Sequence, residues 1–251
     1  MQSKWFNRWK DAKNSKLRIY CFLHAGAGTT ALKDFAMASP NWIDVVAVRL
    51  PGRESRFLEN LPESIEEVVK EIAIEIKKEC KSHNIPILLM GQCSGALLAF
   101  ETAINLDTDI QLQGVVLCSR PSPDIELEEI NLNVPDQIFM DEVIKIGGIN
   151  PEILKEQMLL EIMLPILRSD FQMVKNYSIS TDKKLKSPIL TIRGTQDKEI
   201  TKDDLKGWGK YTAGAIVVEE IVGGHFLISE ESEELIEKII WFNNFVNSVK
   251  A

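Results

Sequence analysis

Hydrophobic positions fall along this chain in two alternating rhythms. Short unbroken apolar runs appear at Arg18–Leu23, Asp44–Leu50, Ile85–Met90, Leu112–Ser119, Ser187–Arg193 and Ala215–Ile221. Between them lie stretches whose apolar residues recur every three to four positions. Ser64 opens one of these, with Glu67 three residues on as a capping-box partner, and Ile65, Val68, Val69, Ile72 and Ile76 share one face as far as about Ser82. Further helices are predicted over Ala96–Leu106 and from Ser229 to about Val249. Continuous apolar strands separated by helices predict a mostly parallel central sheet covered by helices on both faces, an α/β fold.

One region departs from this alternation. From about Glu126 to Tyr177 no strand pattern appears. Gly147-Gly148 and Asn150-Pro151 divide it into two helical pieces, one carrying Ile138, Phe139, Val143 and Ile144, the other Leu154, Met158, Leu159, Ile162 and Met163. Its position between two sheet strands predicts a helical lid of about residues 126–177 over the carboxyl edge of the sheet, hinged at the glycine pair. The remaining pattern reads as one domain over residues 1–251.

Composition narrows the class. With 251 residues, 45% hydrophobic and 26% charged, the chain has the balance of an ordinary globular domain with a large core. The net charge of −8 argues against a general nucleic-acid binder. No apolar run approaches the roughly 18 residues that cross a bilayer. The basic start (Lys4, Arg8, Lys10, Lys13, Lys16, Arg18) is not followed by an apolar signal core. It reads as a solvated terminal segment of a cytoplasmic protein, expected to be a monomer without membrane or nucleic-acid partners. Cys21, Cys80, Cys93 and Cys118 match no CxxC pattern, and no metal or resident cofactor is implied.

Cys93 stands apart from the other three. Met90 ends an apolar run, Gly91-Gln92-Cys93-Ser94-Gly95 follows, and a helix begins. This is the strand, sharp turn and helix of a nucleophile elbow, whose central residue needs small neighbours two before and two after it. Gly91 and Gly95 meet that need for Cys93, whereas Ser94 would be flanked by bulky Gln92. Cys93 is therefore the candidate nucleophile, and Ser94 supplies the next backbone N–H. A thiol at a helix N-terminus has its thiolate favoured by the helix dipole and the free N–H groups. Three histidines are available as a base. His83 lies in a polar turn, and His24 reads as a residue shaping the loop after the first run. His225, after Val222-Gly223-Gly224 and before the last helix, is well placed. Asp197, just after the fifth run, is the candidate acid, with Glu199 as fallback. The order Cys93, Asp197, His225 is that of an α/β-hydrolase triad. A second oxyanion N–H is expected from the glycine-rich loop His24-Ala25-Gly26-Ala27-Gly28.

The chain resembles the type II thioesterases, free-standing α/β-hydrolases that accompany nonribosomal peptide and polyketide synthetases. His24-Ala25-Gly26, Leu50-Pro51-Gly52-Arg53-Glu54-Ser55-Arg56, the elbow at 91–95, Leu164–Phe171 (Leu-Pro-Ile-Leu-Arg-Ser-Asp-Phe) and Gly224-His225-Phe226 match that family in order. The resemblance implies a Cys93–His225–Asp197 triad and an oxyanion hole from the backbone N–H groups of Ala25 and Ser94. It also implies a substrate carried on the phosphopantetheine of an acyl or peptidyl carrier protein. Arg53, Arg56, Arg120 and Arg168 are the candidate docking residues for that acidic partner.

The departure from the family is the nucleophile, which is usually serine in a Gly-His-Ser-Met-Gly elbow. Capture of an acyl group by cysteine exchanges one thioester for another and is nearly isoenergetic. That favours reversible transfer to amines or thiols more than a serine ester would, so an acyl or aminoacyl transferase shuttling between carriers is the first alternative. A dienelactone-hydrolase-like small-molecule hydrolase and a catalytically idle carrier-binding protein are the others.

Overall fold

The computed structural model of the protein describes residues 3–106, 110–125, 130–146, 155–179 and 184–250. The Gly147-Gly148 hinge, Leu154 and Glu126 lie outside them. Seven strands form one sheet: β1 (Phe6–Asn7), β2 (Leu17–Phe22), β3 (Ile43–Val48), β4 (Ile87–Gln92), β5 (Leu112–Cys118), β6 (Ile189–Gly194) and β7 (Ile216–Ile221), in the spatial order β1-β3-β2-β4-β5-β6-β7. All neighbouring pairs are parallel except β1 with β3. The six runs predicted as strands are β2 to β7, displaced by one to two residues at their ends.

Side chains on the strands alternate between two cores, as the two-residue period of a strand requires. Tyr20, Phe22, Val115 and Leu117 pack with helices α2 (Ile65–Ser82) and α3 (Ser94–Asn105), while Ile19, Cys21, Val116 and Cys118 pack with α1 (Lys33–Ala38) and the C-terminal helix. Ser64 Oγ accepts from the Glu67 N–H and starts α2, whose buried residues include the five predicted for its inner face. The C-terminal helix is two pieces rather than one. After α4 (Asp136–Lys145), α5 (Gln157–Asn176) and α6 (Lys202–Lys206) come α7 (Leu227–Glu230) and α8 (Ser232–Lys250), separated where Glu231 leaves helical geometry at φ −133°, ψ 45°.

The amino-terminal segment is not solvated as its charge pattern suggested. Trp5 and Phe6 are buried, and Phe6 pairs with Val48 to put an antiparallel strand on the edge of β3. Arg8 bridges Asp44 at 3.0 Å and Glu79 at 2.8 Å, and Arg18 reaches the same Asp44 at 2.6 Å. Two of the basic residues are therefore counter-charges to buried or half-buried carboxylates.

Among its described residues the lid region is helical. Phe139, Met140 and Val143 of α4 pack against Leu167 of α5 in a small core of their own. Arg168 belongs to that core, not to a docking surface. Its guanidinium lies 4.4 Å from the Phe139 ring centre, donates to the Leu132 and Val134 carbonyls and pairs with Asp136 at 2.7 Å. Arg56 is likewise internal: it stacks 3.8 Å over Trp5 and donates to the Arg49 carbonyl and to Glu59. Among the described residues, no helix is long and apolar enough to cross a membrane.

Candidate active site

Chain order reverses at β2. The chain passes from β2 to β3 on one side, and the next strand, β4, lies on the other. A crevice opens at the carboxyl ends of strands around such a switch point. The loop after β2 and the turn after β4 meet there, since Phe22 is in register with Gly91.

Cys93 occupies that turn with φ 55° and ψ −121°, a left-handed backbone costing on the order of 1–3 kcal/mol that the surrounding structure must enforce. The enforcement is visible in the two flanking glycines. A Cβ on Gly91 would come within 2.1 Å of the Gly95 carbonyl oxygen, and a Cβ on Gly95 within 2.3 Å of the Phe22 carbonyl oxygen. Gln92 adds a tie that the sequence did not disclose. Its Oε1 accepts the Ile228 N–H at 2.8 Å, linking the elbow to the start of α7, which follows His225.

His225 and Asp197 come from the loops after β7 and β6. His225 Nδ1 lies 2.9 Å from Asp197 Oδ2, and Oδ1 accepts the Glu199 N–H at 3.0 Å. The Asp197 carbonyl is held by Arg193 at 2.8 Å. With Asp197 ionised, Nδ1 carries the proton and Nε2 is left to face the thiol. The two loops approach so closely that a Cβ on Gly194 would sit 2.1 Å from the Gly224 carbonyl oxygen. Glu199, the fallback acid, is exposed and contributes its backbone N–H rather than its carboxylate.

The thiol and the imidazole change one another's proton affinity. Burial opposes a charged Cys93, but His225, Arg120 and the Ser94 N–H together hold the thiol below its ordinary value. Burial also opposes a charged His225, yet Asp197 and Cys93 push it up to about 10. Both shifts favour a thiolate–imidazolium pair. Cys118, in register with Gln92 on the neighbouring strand, makes the contrast: burial alone pushes its thiol up to about 12. The His225 Nε2 is buried without an aligned partner, and nucleophile–base contacts are commonly loose until substrate tightens them. His24 packs its ring edge on Phe226, with centroids 4.6 Å apart. Burial, with His225 and Arg53 nearby, lowers it to about 4, so it is neutral at pH 7.

The oxyanion loop is held by the lid. Asp170 of α5 accepts the Gly26 N–H at 2.7 Å on one oxygen and Arg53 at 2.7 Å on the other, while Arg53 also donates to the Ala27 carbonyl at 3.1 Å. Arg53 is thus a buried brace of the loop and not a docking residue. Among the described residues no acceptor takes the Ala25 N–H. Between the sheet edge and α5 lies a cavity of about 10 Å³ beside Ser94, lined by Leu23, Leu50, Ile65, Leu98, Met173 and Val174. That is room for about one water. Among the described residues no cluster of three or more His, Cys, Asp or Glu could hold a metal.

A strained elbow after the fourth strand, with an acid and a histidine after later strands of a parallel sheet, is the arrangement of an α/β-hydrolase, and the comparisons agree. The thioesterase domain model matches residues 17–242. The chain is 29% identical over 238 residues to the gramicidin S biosynthesis protein GrsT of Aneurinibacillus migulanus, covering 94% of this chain and 92% of that one. It superposes on the type II thioesterase BorB from the borrelidin biosynthetic cluster with a TM-score of 0.85 at 25% identity, covering 97% and 99% of the two chains. For YbtT, a type II thioesterase from the yersiniabactin nonribosomal peptide/polyketide pathway, the TM-score is 0.84 at 25% identity, covering 96% and 99%. The chain belongs to the thioesterase domain family, hydrolases of thioester bonds. That membership speaks against the dienelactone-hydrolase-like alternative.

Proposed function

We propose that this protein is a type II thioesterase of a nonribosomal peptide or polyketide system, releasing acyl groups from the phosphopantetheine of carrier proteins through a covalent acyl-Cys93 intermediate. The observation that carries the reading is the pairing of a strained, charge-stabilised Cys93 with the His225–Asp197 dyad. In the first half-reaction the Cys93 thiolate attacks the thioester carbonyl. The oxyanion forms opposite the N–H groups of Ala25 and Ser94. As the tetrahedral intermediate collapses, the pantetheine sulfur leaves with the His225 proton, giving acyl-Cys93 and a neutral imidazole. In the second, His225 takes a proton from water as its oxygen attacks the acyl carbon. The Cys93–acyl bond breaks and the thiolate–imidazolium pair is restored. Asp197 orients the ring throughout without itself being protonated. The chain's own residues and the partner's phosphopantetheine suffice for both steps, without a resident cofactor.

Cysteine in the nucleophile position favours a second reading, transfer to another carrier thiol or to an amine, because acyl-Cys93 remains a thioester. Intact-mass analysis after mixing the protein with acyl-loaded carrier separates the two. Hydrolysis yields free acid, transfer yields an acylated second carrier, and each passes through a protein heavier by the acyl mass. A protein that never gains that mass, while acid is released, overturns the covalent mechanism.

A further inference from the structure

Arg120 has no carboxylate partner. It follows β5, where Ser119 takes a left-handed φ of 50°, and its backbone carbonyl is fixed by Trp208 Nε1 at 2.9 Å. Its Nε is buried with no hydrogen-bond acceptor, although the residue as a whole is only half-buried. Among the described residues the ionisable groups within electrostatic reach of its guanidinium are Cys93 and Tyr177. The other arginines of this half of the molecule differ: Arg53 is paired with Asp170, Arg168 with Asp136 and Arg193 with Glu220. Arg120 is therefore not the exposed docking residue that its sequence position suggested.

Its surroundings trace a path. Ser94, Leu98 and Glu101 recur on one face of α3, and Asp170, Val174 and Tyr177 on the facing side of α5 and its cap. The small cavity opens between these rows beside Ser94. At the other end the Tyr177 hydroxyl donates to Glu101 at 2.6 Å and closes the seam. Arg120 faces both ends, because it reaches Cys93 and Tyr177. A guanidinium cannot shed its charge, and a partly buried cation without a partner is costly. Before reaction the Cys93 thiolate supplies a counter-charge. Once Cys93 is acylated it is a neutral thioester, and that counter-charge is gone.

The geometry points to Arg120 as a specificity residue for acyl groups that carry a carboxylate, such as half-thioesters of short dicarboxylic acids, seated along the α3–α5 seam with the carboxylate on the guanidinium. The carboxylate takes no part in bond making. It replaces the charge that acylation removes and stabilises the acyl-enzyme relative to a neutral acyl group. By the same electrostatics, α-aminoacyl groups, which bring a second cation, are disfavoured. This inference rests on the thioesterase reading above.

The test compares kcat/KM for two shape-matched pairs of pantetheine thioesters: malonyl with isovaleryl, and succinyl with 4-methylpentanoyl. In each pair a carboxylate is exchanged for an isopropyl group. The unaltered protein is expected to prefer the carboxylated member of at least one pair by about tenfold or more. Arg120→Gln is expected to bring that ratio to one or below, and Arg120→Lys to retain part of it. The ratio is insensitive to a general loss of folded enzyme. Turnover of the neutral thioesters with no preference in the unaltered protein overturns the inference and leaves the thioesterase reading intact. Equal losses on both members in Arg120→Gln also overturn it, and assign Arg120 to support of the thiolate alone. Failure of all four thioesters to react with Cys93 overturns both readings.

Discussion

Cys93 combines a strained backbone with a stabilised charge, and each predicts a measurable behaviour. Cys93→Ala should leave no acyl-enzyme by mass and lower kcat/KM by on the order of 10³-fold or more, as loss of a covalent nucleophile does. Cys93→Ser should retain some hydrolysis while transfer to added amine falls, because its intermediate is an ester. The pH dependence follows from the two opposed shifts. Attack needs the thiolate, so activity should rise with pH through a value below the roughly 8.5 of a free thiol. Release of pantetheine needs protonated His225, so activity should fall again near 10. Alkylation of Cys93 by iodoacetamide should share the rising limb and lack the falling one. In Cys93→Ala, His225 should titrate lower, read from its ring resonances. At this scale much was legible, since Gly91 and Gly95 could flank only one nucleophile and only three histidines were available. Gln92, Arg193 and Arg120 were not, because each acts on a group brought near by the fold and nothing in its local pattern marks it.

Between elements, the connection of most consequence is α5 to the loop after β2. Asp170 holds the Gly26 N–H and the Arg53 guanidinium at once, so a lid helix sets the backbone next to Ala25. Removing one charge from a buried pair strands the other, at a cost of about 3–5 kcal/mol. Asp170→Leu should lower the denaturant midpoint accordingly and reduce kcat more than KM. Restoring stability with Arg53→Met in the same protein should leave kcat low, which distinguishes positioning of the loop from simple support of the fold. The sequence placed both residues in its most discriminating segments. It offered Arg53 to a partner, because residues 117 apart in the chain give no local sign that they meet. Helix α5 was legible as amphipathic, but which of its apolar residues would be covered was not. Ile166 and Leu167 are buried while Met158, Leu159 and Ile162 are exposed.

For the whole molecule, alternating strands and helices announced the parallel sheet, and the topological reversal at β2 put the nucleophile and the oxyanion loop side by side. The antiparallel strand β1 escaped notice because two residues are too few to show a period, and six cations nearby read as a wetted end. Trp5, Phe6 and Arg8 nevertheless clip that end across β3 and α2. Phe6→Ala should cost about 3–5 kcal/mol, seen as a lower urea midpoint with an unchanged slope. A truncated protein beginning after Arg8 as stable as the parent would remove the clip from this account.

The opposite border of the sheet has no such cover. Strand β7 reads Ile-Val-Val-Glu-Glu-Ile, and one side of its backbone has no neighbouring strand. Ile216 and Val222 at its ends are exposed. A run of β-branched residues on an open border is a template for a second chain to join by main-chain pairing. Glu219 and Glu220 sit in the middle of it as gatekeepers, tied to Lys238 at 2.6 Å and to Arg193 at 2.6 Å. The acidity of this strand thus bears on colloidal behaviour as well as on local structure. Glu219→Val leaves the Arg193 brace of Asp197 in place while removing one guard. It should keep its thioesterase activity when dilute, yet form thioflavin-positive aggregates at concentrations the parent tolerates.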